Sequence, residues 1–287
     1  MPVAEIDGIE IAYELVGDGP PWVLTPGGRF TKEVGGLPEM ARALADTGQR
    51  VLTWDRPNCG ASSVVFHGRS ESEVQAEALG ALIRHLDLGP TVIAGGSGGS
   101  RISLLAAARN PDVTAGLAMW WISGGVPGLL QLANYYCMPS ADAAWHGGME
   151  AVAALDQWQE VQEKNPSNRA RILAMDRREF IETMDRWMVA YCPCDDALVP
   201  GLDDEDITRL DVPILVFRSG ASDMSHTRAT SEAIAKGLPG AELAEPPWGD
   251  DEWNERRAEV EQTGSLFVRW PLLVPQLVEW ADRTVRS

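Results

Sequence analysis

The sequence predicts an α/β fold, a mostly parallel central sheet with helices on both faces and an all-helical segment inserted between two of its strands. Three observations predict it: short apolar runs alternate with helix-length segments, one glycine-rich turn joins such a run to a helix, and a long stretch carries no strand pattern. A chain of 287 residues suits one large α/β domain with an insertion, and 45% hydrophobic and 23% charged residues is ordinary for a folded protein.

Val3 to Ile6 and Ile9 to Leu15 flank an Asp7-Gly8 turn and read as an opening hairpin. Trp22 to Thr25 is a buried strand ending in Pro26-Gly27-Gly28, and a helix follows through Met40 to Ala45. Arg50 to Trp54 is the next strand, closing on the turn-rich Asp55-Arg56-Pro57-Asn58-Cys59-Gly60; Glu71 to Leu86 has helical periodicity. Thr91 to Ala94 leads into Gly95-Gly96-Ser97-Gly98-Gly99, and Arg101 to Arg109 is small and helix-favouring. Ala115 to Ile122 is a further strand, whose alternation would send only one of Trp120 and Trp121 into any one pocket. From Gly124 to about Leu210 only helix-like segments occur, so residues 1–123 and 211–287 are expected to form the core and 124–210 a helical cap. Pro213 to Arg218 restores the sheet, Thr227 to Leu238 is a helix, Ala241 to Ala244 the last strand, and Leu272 to Trp280 the C-terminal helix.

A formal charge of −18 disfavours nucleic acid and anionic membranes as partners, and the scattered acids argue for solubility rather than an acidic site. MPVAEIDGIEIAYE carries acids where a secretory leader needs bases, and no apolar stretch nears 18 residues, so a cytoplasmic location is expected. Cys59, Cys137, Cys192 and Cys194 lack zinc-type spacing and read as reduced structural thiols; neither metal nor cofactor is expected. A small-molecule substrate is expected, and a homodimer stays open.

A serine with glycines two positions to either side, at a strand end and helix start, meets the demands of a tight, strained turn that exposes a hydroxyl. The Gly98 N–H at the helix start can then donate to a developing oxyanion. The same turn could bind phosphate or merely let helix and sheet approach, but it lacks the Lys-Ser/Thr of a P-loop and the glycine spacing of a dinucleotide site.

On these residues the chain resembles the α/β-hydrolase superfamily across the sheet and its flanking helices, with little likeness in the cap. Thr25-Pro26-Gly27-Gly28-Arg29 stands where that family has its oxyanion loop, and Asp55 to Ser62 is similar to its Asp-x-x-Gly-x-Gly-x-Ser loop with Asn58-Cys59-Gly60 inserted into the pattern. The resemblance implies Gly28 N–H as second oxyanion donor, with Arg29 as an alternative, and Asp223 in Gly220-Ala221-Ser222-Asp223 as catalytic acid.

One departure matters. The family's histidine follows the last strand, where this sequence reads Ala244-Glu245-Pro246-Pro247-Trp248-Gly249-Asp250-Asp251. A serine nucleophile needs a base, and such proton transfer is worth roughly 10² to 10⁴ in rate. Of the four histidines, His85 and His67 read as surface groups and His146 belongs to the cap, from which it could reach Ser97. His226, three residues beyond Asp223, is the leading candidate base, since such triads are defined by geometry and not chain order. Asp250 or Asp251 is a second option, as an apolar pocket can raise a carboxylate towards neutrality.

The cap is rich in Trp145, Trp158, Trp187, Tyr135, Tyr136, Tyr191 and methionines, which would suit a planar, hydrophobic ligand, although packing of cap helices accounts for most of them. Arg29, Trp121, Tyr135, His146 and Trp187 are the candidate pocket residues. Three functions follow: Ser97-centred hydrolysis of an ester or carbon–carbon bond in an aromatic small molecule; a non-hydrolytic biosynthetic reaction at the same oxyanion hole; or a silent binding protein.

Overall fold

The computed structural model describes residues 1–193 and 198–285. Cys194, read above as a structural thiol, lies outside them. Strands β1 (Val3–Ile6), β2 (Ile9–Val16) and β3 (Pro21–Thr25) precede helix α1 (Leu37–Ala45); β4 (Arg50–Trp54) precedes α2 (Glu71–His85), and β5 (Thr91–Gly96) precedes α3 (Gly98–Arg109). After β6 (Thr114–Trp120) come α4 (Gly125–Tyr136), α5 (Met138–Ala153), α6 (Asp156–Lys164), α7 (Ser167–Leu173), α8 (Arg177–Val189) and α9 (Asp204–Arg209). The chain returns through β7 (Ile214–Phe217), α10 (Arg228–Gly237), β8 (Glu242–Ala244), α11 (Glu252–Thr263) and α12 (Val274–Thr284).

The eight strands form one sheet in the order β1-β2-β4-β3-β5-β6-β7-β8, antiparallel at β1-β2 and β2-β4 and parallel elsewhere. Alternation decides which face each strand residue covers: Val23, Leu52, Ile93 and Leu117 pack with α2, α3 and α10, while Trp22, Leu24, Val51 and Val92 pack with α1 and α12. Covering both faces is what parallel strands require, and it explains why these runs are apolar without interruption.

Alternation fails at the end of β6. Both Trp120 and Trp121 are buried in the same cluster, because Trp121 takes φ 48° and swings back against Trp270, with which both rings are in contact. Strand alternation therefore does not separate the two rings. Helix α11 is not foreshadowed by the sequence pattern; its charged stretch from Glu252 to Arg257 shows no apolar face. Between β6 and β7 the described residues contain helices and no strand, as the apolar pattern suggested, and their aromatic cluster closes over Val64 and Phe66 of the core. No described helix is long and apolar enough to cross a membrane.

Candidate functional site

Ser97 is the residue between β5 and α3, with φ 58° and ψ −128°, a conformation that side-chain-bearing residues adopt at a cost of about 1–3 kcal/mol. The surroundings enforce it. A Cβ on Gly95 would stand 2.6 Å from the Gly99 carbonyl oxygen, and one on Gly99 would stand 2.1 Å from that of Thr25. The serine is half-buried at the head of the sheet, and its backbone N–H donates to the Trp120 carbonyl at 3.2 Å.

The loop after β3 lies directly against this elbow: a Cβ on Gly27 would meet the Ser97 Cβ at 2.5 Å, and the Gly28 nitrogen is 3.4 Å from where a Cβ of Gly98 would be. Gly27 and Gly28, the latter at φ 56°, therefore lie against Ser97 and Gly98. A residue not singled out in the sequence, Arg56, fixes that loop. Fully buried, it donates to the carbonyls of Gly28 at 2.8 Å, Phe30 at 3.1 Å and Gly27 at 3.3 Å, pinning the peptide planes. Its only signal was a basic residue inside the Asp55 turn.

The Ser97 hydroxyl meets His226 Nε2 at 2.8 Å, and His226 Nδ1 meets Asp223 Oδ2 at 2.8 Å. Acid and imidazole come from one turn between β7 and α10. Asp223 Oδ1 accepts the backbone N–H groups of Ser225 and His226, each at 2.9 Å, so the carboxylate folds the chain that carries its own partner. Burial is the largest influence on the Asp223 carboxyl and pushes it upward, but the His226 bond and charge, with the two backbone donors, hold it below the usual carboxylate range. Thr227 then caps α10 by accepting from Thr230.

Behind this turn stands a second layer. Trp121 stacks on the His226 ring at 6.2 Å, and Trp253 of α11 meets it edge-on at 6.0 Å. Arg256 lies between them, its guanidinium 3.4 Å from the Trp121 ring centre and 4.4 Å from that of Trp253, and its Nη2 donates to Asp223 Oδ2 at 3.4 Å. Its Nε is 3.1 Å from Glu252 Oε1, an ion pair out of line for a hydrogen bond.

The other expected residues take the following positions. The hydroxyl's partner is His226 and neither Asp250 nor Asp251: Asp250 is turned to solvent and paired with Arg228, and the exposed Asp251 accepts from Asn254. His146 is exposed on α5 against Asp142, and His67 and His85 are also at the surface. Tyr135 is exposed, whereas its neighbour Tyr136 is buried and points its hydroxyl to within 3.1 Å of the Gly98 Cβ position, stacked on Tyr191 at 5.7 Å. A 3.6-residue period puts adjacent tyrosines on different faces, and nothing local told which faced the elbow. Trp187 and Trp158 are fully buried and pack on Phe66 within the helical layer. Arg29 is engaged by Glu71 at 2.7 Å and the Tyr136 carbonyl at 3.2 Å, so its guanidinium is a tie between layers. Trp121, expected along the pocket, is buried and backs the histidine instead.

Among the described residues no group of three or more His, Cys, Asp or Glu could hold a metal ion. Cys59 and Cys137 are buried free thiols, raised above the usual range by burial, and Cys192 is free and exposed.

The α/β hydrolase fold family model matches residues 23–119. No curated protein is similar in sequence. Among solved structures, the enol-lactonase from Burkholderia xenovorans LB400 is similar with a TM-score of 0.58 at 20% identity, covering 98% of this chain and 100% of that one. The thermophilic esterase from Thermogutta terrifontis gives 0.56 at 21%, covering 97% and 95%. The esterase from Exiguobacterium antarcticum gives 0.58 at 16%, covering 99% and 98%. With such neighbours along nearly its whole length and an elbow serine heading its parallel sheet, this chain has the α/β-hydrolase fold.

Proposed function

We propose that the chain is a serine hydrolase of small, hydrophobic esters or lactones, with Ser97 as nucleophile, His226 as general base and then acid, and Asp223 as the carboxylate that orients the imidazole. One observation carries the reading: the unbroken series Ser97 Oγ, His226 Nε2, His226 Nδ1 and Asp223 Oδ2, with 2.8 Å at both links. Ser97 Oγ bonds to the substrate carbonyl carbon while His226 Nε2 takes its proton. The carbonyl oxygen becomes an oxyanion, for which the Gly28 and Gly98 amides are the donors. Collapse of this intermediate breaks the carbon–oxygen bond, and the leaving alkoxide receives the proton from His226. Water, deprotonated by the same imidazole, then releases the acid and restores Ser97.

The enol-lactone and ester substrates named for two of the similar structures agree with a neutral carbonyl substrate. Bond formation without hydrolysis was attractive because the usual histidine position holds no histidine; an imidazole within bonding distance from a different loop removes that motive. Because Trp158 and Trp187 are consumed by packing, a planar polycyclic ligand has less support than a compact one beside Tyr136.

The test is turnover of p-nitrophenyl acetate and butyrate and of a panel of five- and six-membered lactones, with fluorophosphonate labelling located by mass spectrometry. Ser97→Ala should abolish both label and turnover, and His226→Gln should cut kcat by about 10³-fold or more. A phosphonate adduct elsewhere, or a Ser97→Ala protein as active as the parent, refutes the assignment.

A further inference from the structure

The proposed triad leaves unexplained why an arginine and a second carboxylate are buried behind Asp223. Arg256 and Glu252 side chains are 2% and 4% exposed, as deep as Asp223 itself at 3%. Burying a guanidinium is costly unless it is paired, and Arg256 is only loosely bonded: one contact of 3.4 Å to Asp223 and one misaligned contact of 3.1 Å to Glu252. What holds it in position is aromatic, since Trp121 and Trp253 face it on either side and the same two rings touch His226. A purely structural salt bridge would not need to share walls with the imidazole.

We propose that Arg256 is a positioning residue that sets the charge balance of the Asp223–His226 pair, with Glu252 as its counterweight. The inference rests on the serine-hydrolase reading and adds to it the control of its base. Asp223 must be ionised to stabilise the imidazolium formed as Ser97 loses its proton. Arg256, 3.4 Å away, favours that ionised form; unopposed, it would also disfavour the imidazolium by adding positive charge. Glu252 moderates the guanidinium through its own ion pair.

Other charges stand around this group, and Arg269 also acts on Glu252 and Arg256. Arg228 on α10 pairs with Asp250, Arg269 with Glu255 and Glu259, and Arg257 lies 6.0 Å from the Trp253 ring centre. Burial pushes the Glu252 carboxyl up to about 7, against the pull of Arg256 and Arg269, and brings the Arg256 guanidinium down to about 10, against the pull of Glu252 and Asp223. Glu252, its carboxyl raised by burial, thus lies within reach of the guanidinium that touches the acid.

The experiment uses the full chain and three variants, Arg256→Met, Arg256→Lys and Glu252→Gln, each checked for fold by circular dichroism. Two readouts are taken: the pH dependence of kcat/KM for ester hydrolysis, and the NMR titration of the His226 ring protons, identified by their loss in His226→Gln. Removing the positive charge strengthens proton binding by the pair as a unit, so Arg256→Met should move both the acid limb and the NMR midpoint to higher pH, by ~1 unit. Removing the negative charge should move both to lower pH in Glu252→Gln, and Arg256→Lys should hold them near the parent. Opposite displacements are not expected of two merely structural lesions. Unmoved midpoints in a folded Arg256→Met, or an upward shift in Glu252→Gln, overturn the proposal. If Arg256→Met does not fold, the sign of the Glu252→Gln shift decides. Should the parent show no Ser97-dependent turnover, the hydrolase reading fails while the NMR titration still decides the role of Arg256.

Discussion

At the scale of single residues, the site depends on how close one backbone may come to another. The elbow holds Ser97 in an unfavourable conformation because glycines on either side let α3 begin almost in contact with the loop after β3. Gly99→Ala tests this: its Cβ would be driven to 2.1 Å from a backbone oxygen that has no rotamer to change, so we expect a loss of ~3 kcal/mol or more in urea unfolding. A variant with the parent's midpoint would show that the helix start can shift without penalty. This part of the site was legible in the sequence, since a run of five small residues at a strand end is needed only where backbones crowd together. His226 was legible only as a neighbour of Asp223. Tyr136, Arg56 and Arg256 were not legible as site residues, because what selects them is which of several similar residues happens to face the elbow across long stretches of chain.

At the scale of elements, α11 supplies a supporting wall behind the Asp223–His226 turn. In the sequence its Glu252-Trp253-Asn254-Glu255-Arg256-Arg257 looks like a solvated helix face, and Arg256 cannot be told from its neighbour Arg257. The structure separates them, burying Glu252 and Arg256 and leaving Arg257 outside. Burial of Glu252 also carries a stability signature. A carboxyl raised in the folded state to about 7 from an ordinary value of 4.5 binds its proton more tightly folded than unfolded. The stabilisation is complete below the lower value and is lost as pH rises through the upper one, by roughly 3 kcal/mol. Thermal melting of the parent should therefore fall from pH 5 to pH 8, and Glu252→Gln should flatten that fall. An equal slope in both proteins would mean that Glu252 keeps its charge across the range. Asp223, held low, acts in the opposite sense: its contribution is present above its unfolded value and is lost as pH drops through the folded one.

At the scale of the whole molecule, the sheet and its flanking helices followed from alternation and turn chemistry, because each strand's two buried faces are written into its own residues. How the helices between β6 and β7 settle on the sheet was not written locally. Arg29 and Glu71 supply one such tie, buried at 7% and 3% exposure, with Arg29 also reaching the Tyr136 carbonyl and stacking 4.7 Å from the centre of Trp158. Arg29→Met leaves a buried carboxylate with, among the described residues, Asn58 as its remaining side-chain partner, and we expect a cost of ~3–5 kcal/mol with faster proteolysis between residues 137 and 193. A parent-like melting temperature and cleavage rate would show that the helical layer is seated by its apolar contacts alone.

The acid and the imidazole occupy one four-residue stretch, Asp223 to His226, and their mutual geometry is set within that stretch. Their distance to the serine, by contrast, is set by the lateral pairing of β5, β6 and β7. Swelling or shearing of the sheet would thus carry imidazole and carboxylate away together as a single cartridge. The Ser97–His226 contact would then break while the detached half stayed internally assembled, ready to re-engage once the strands close up.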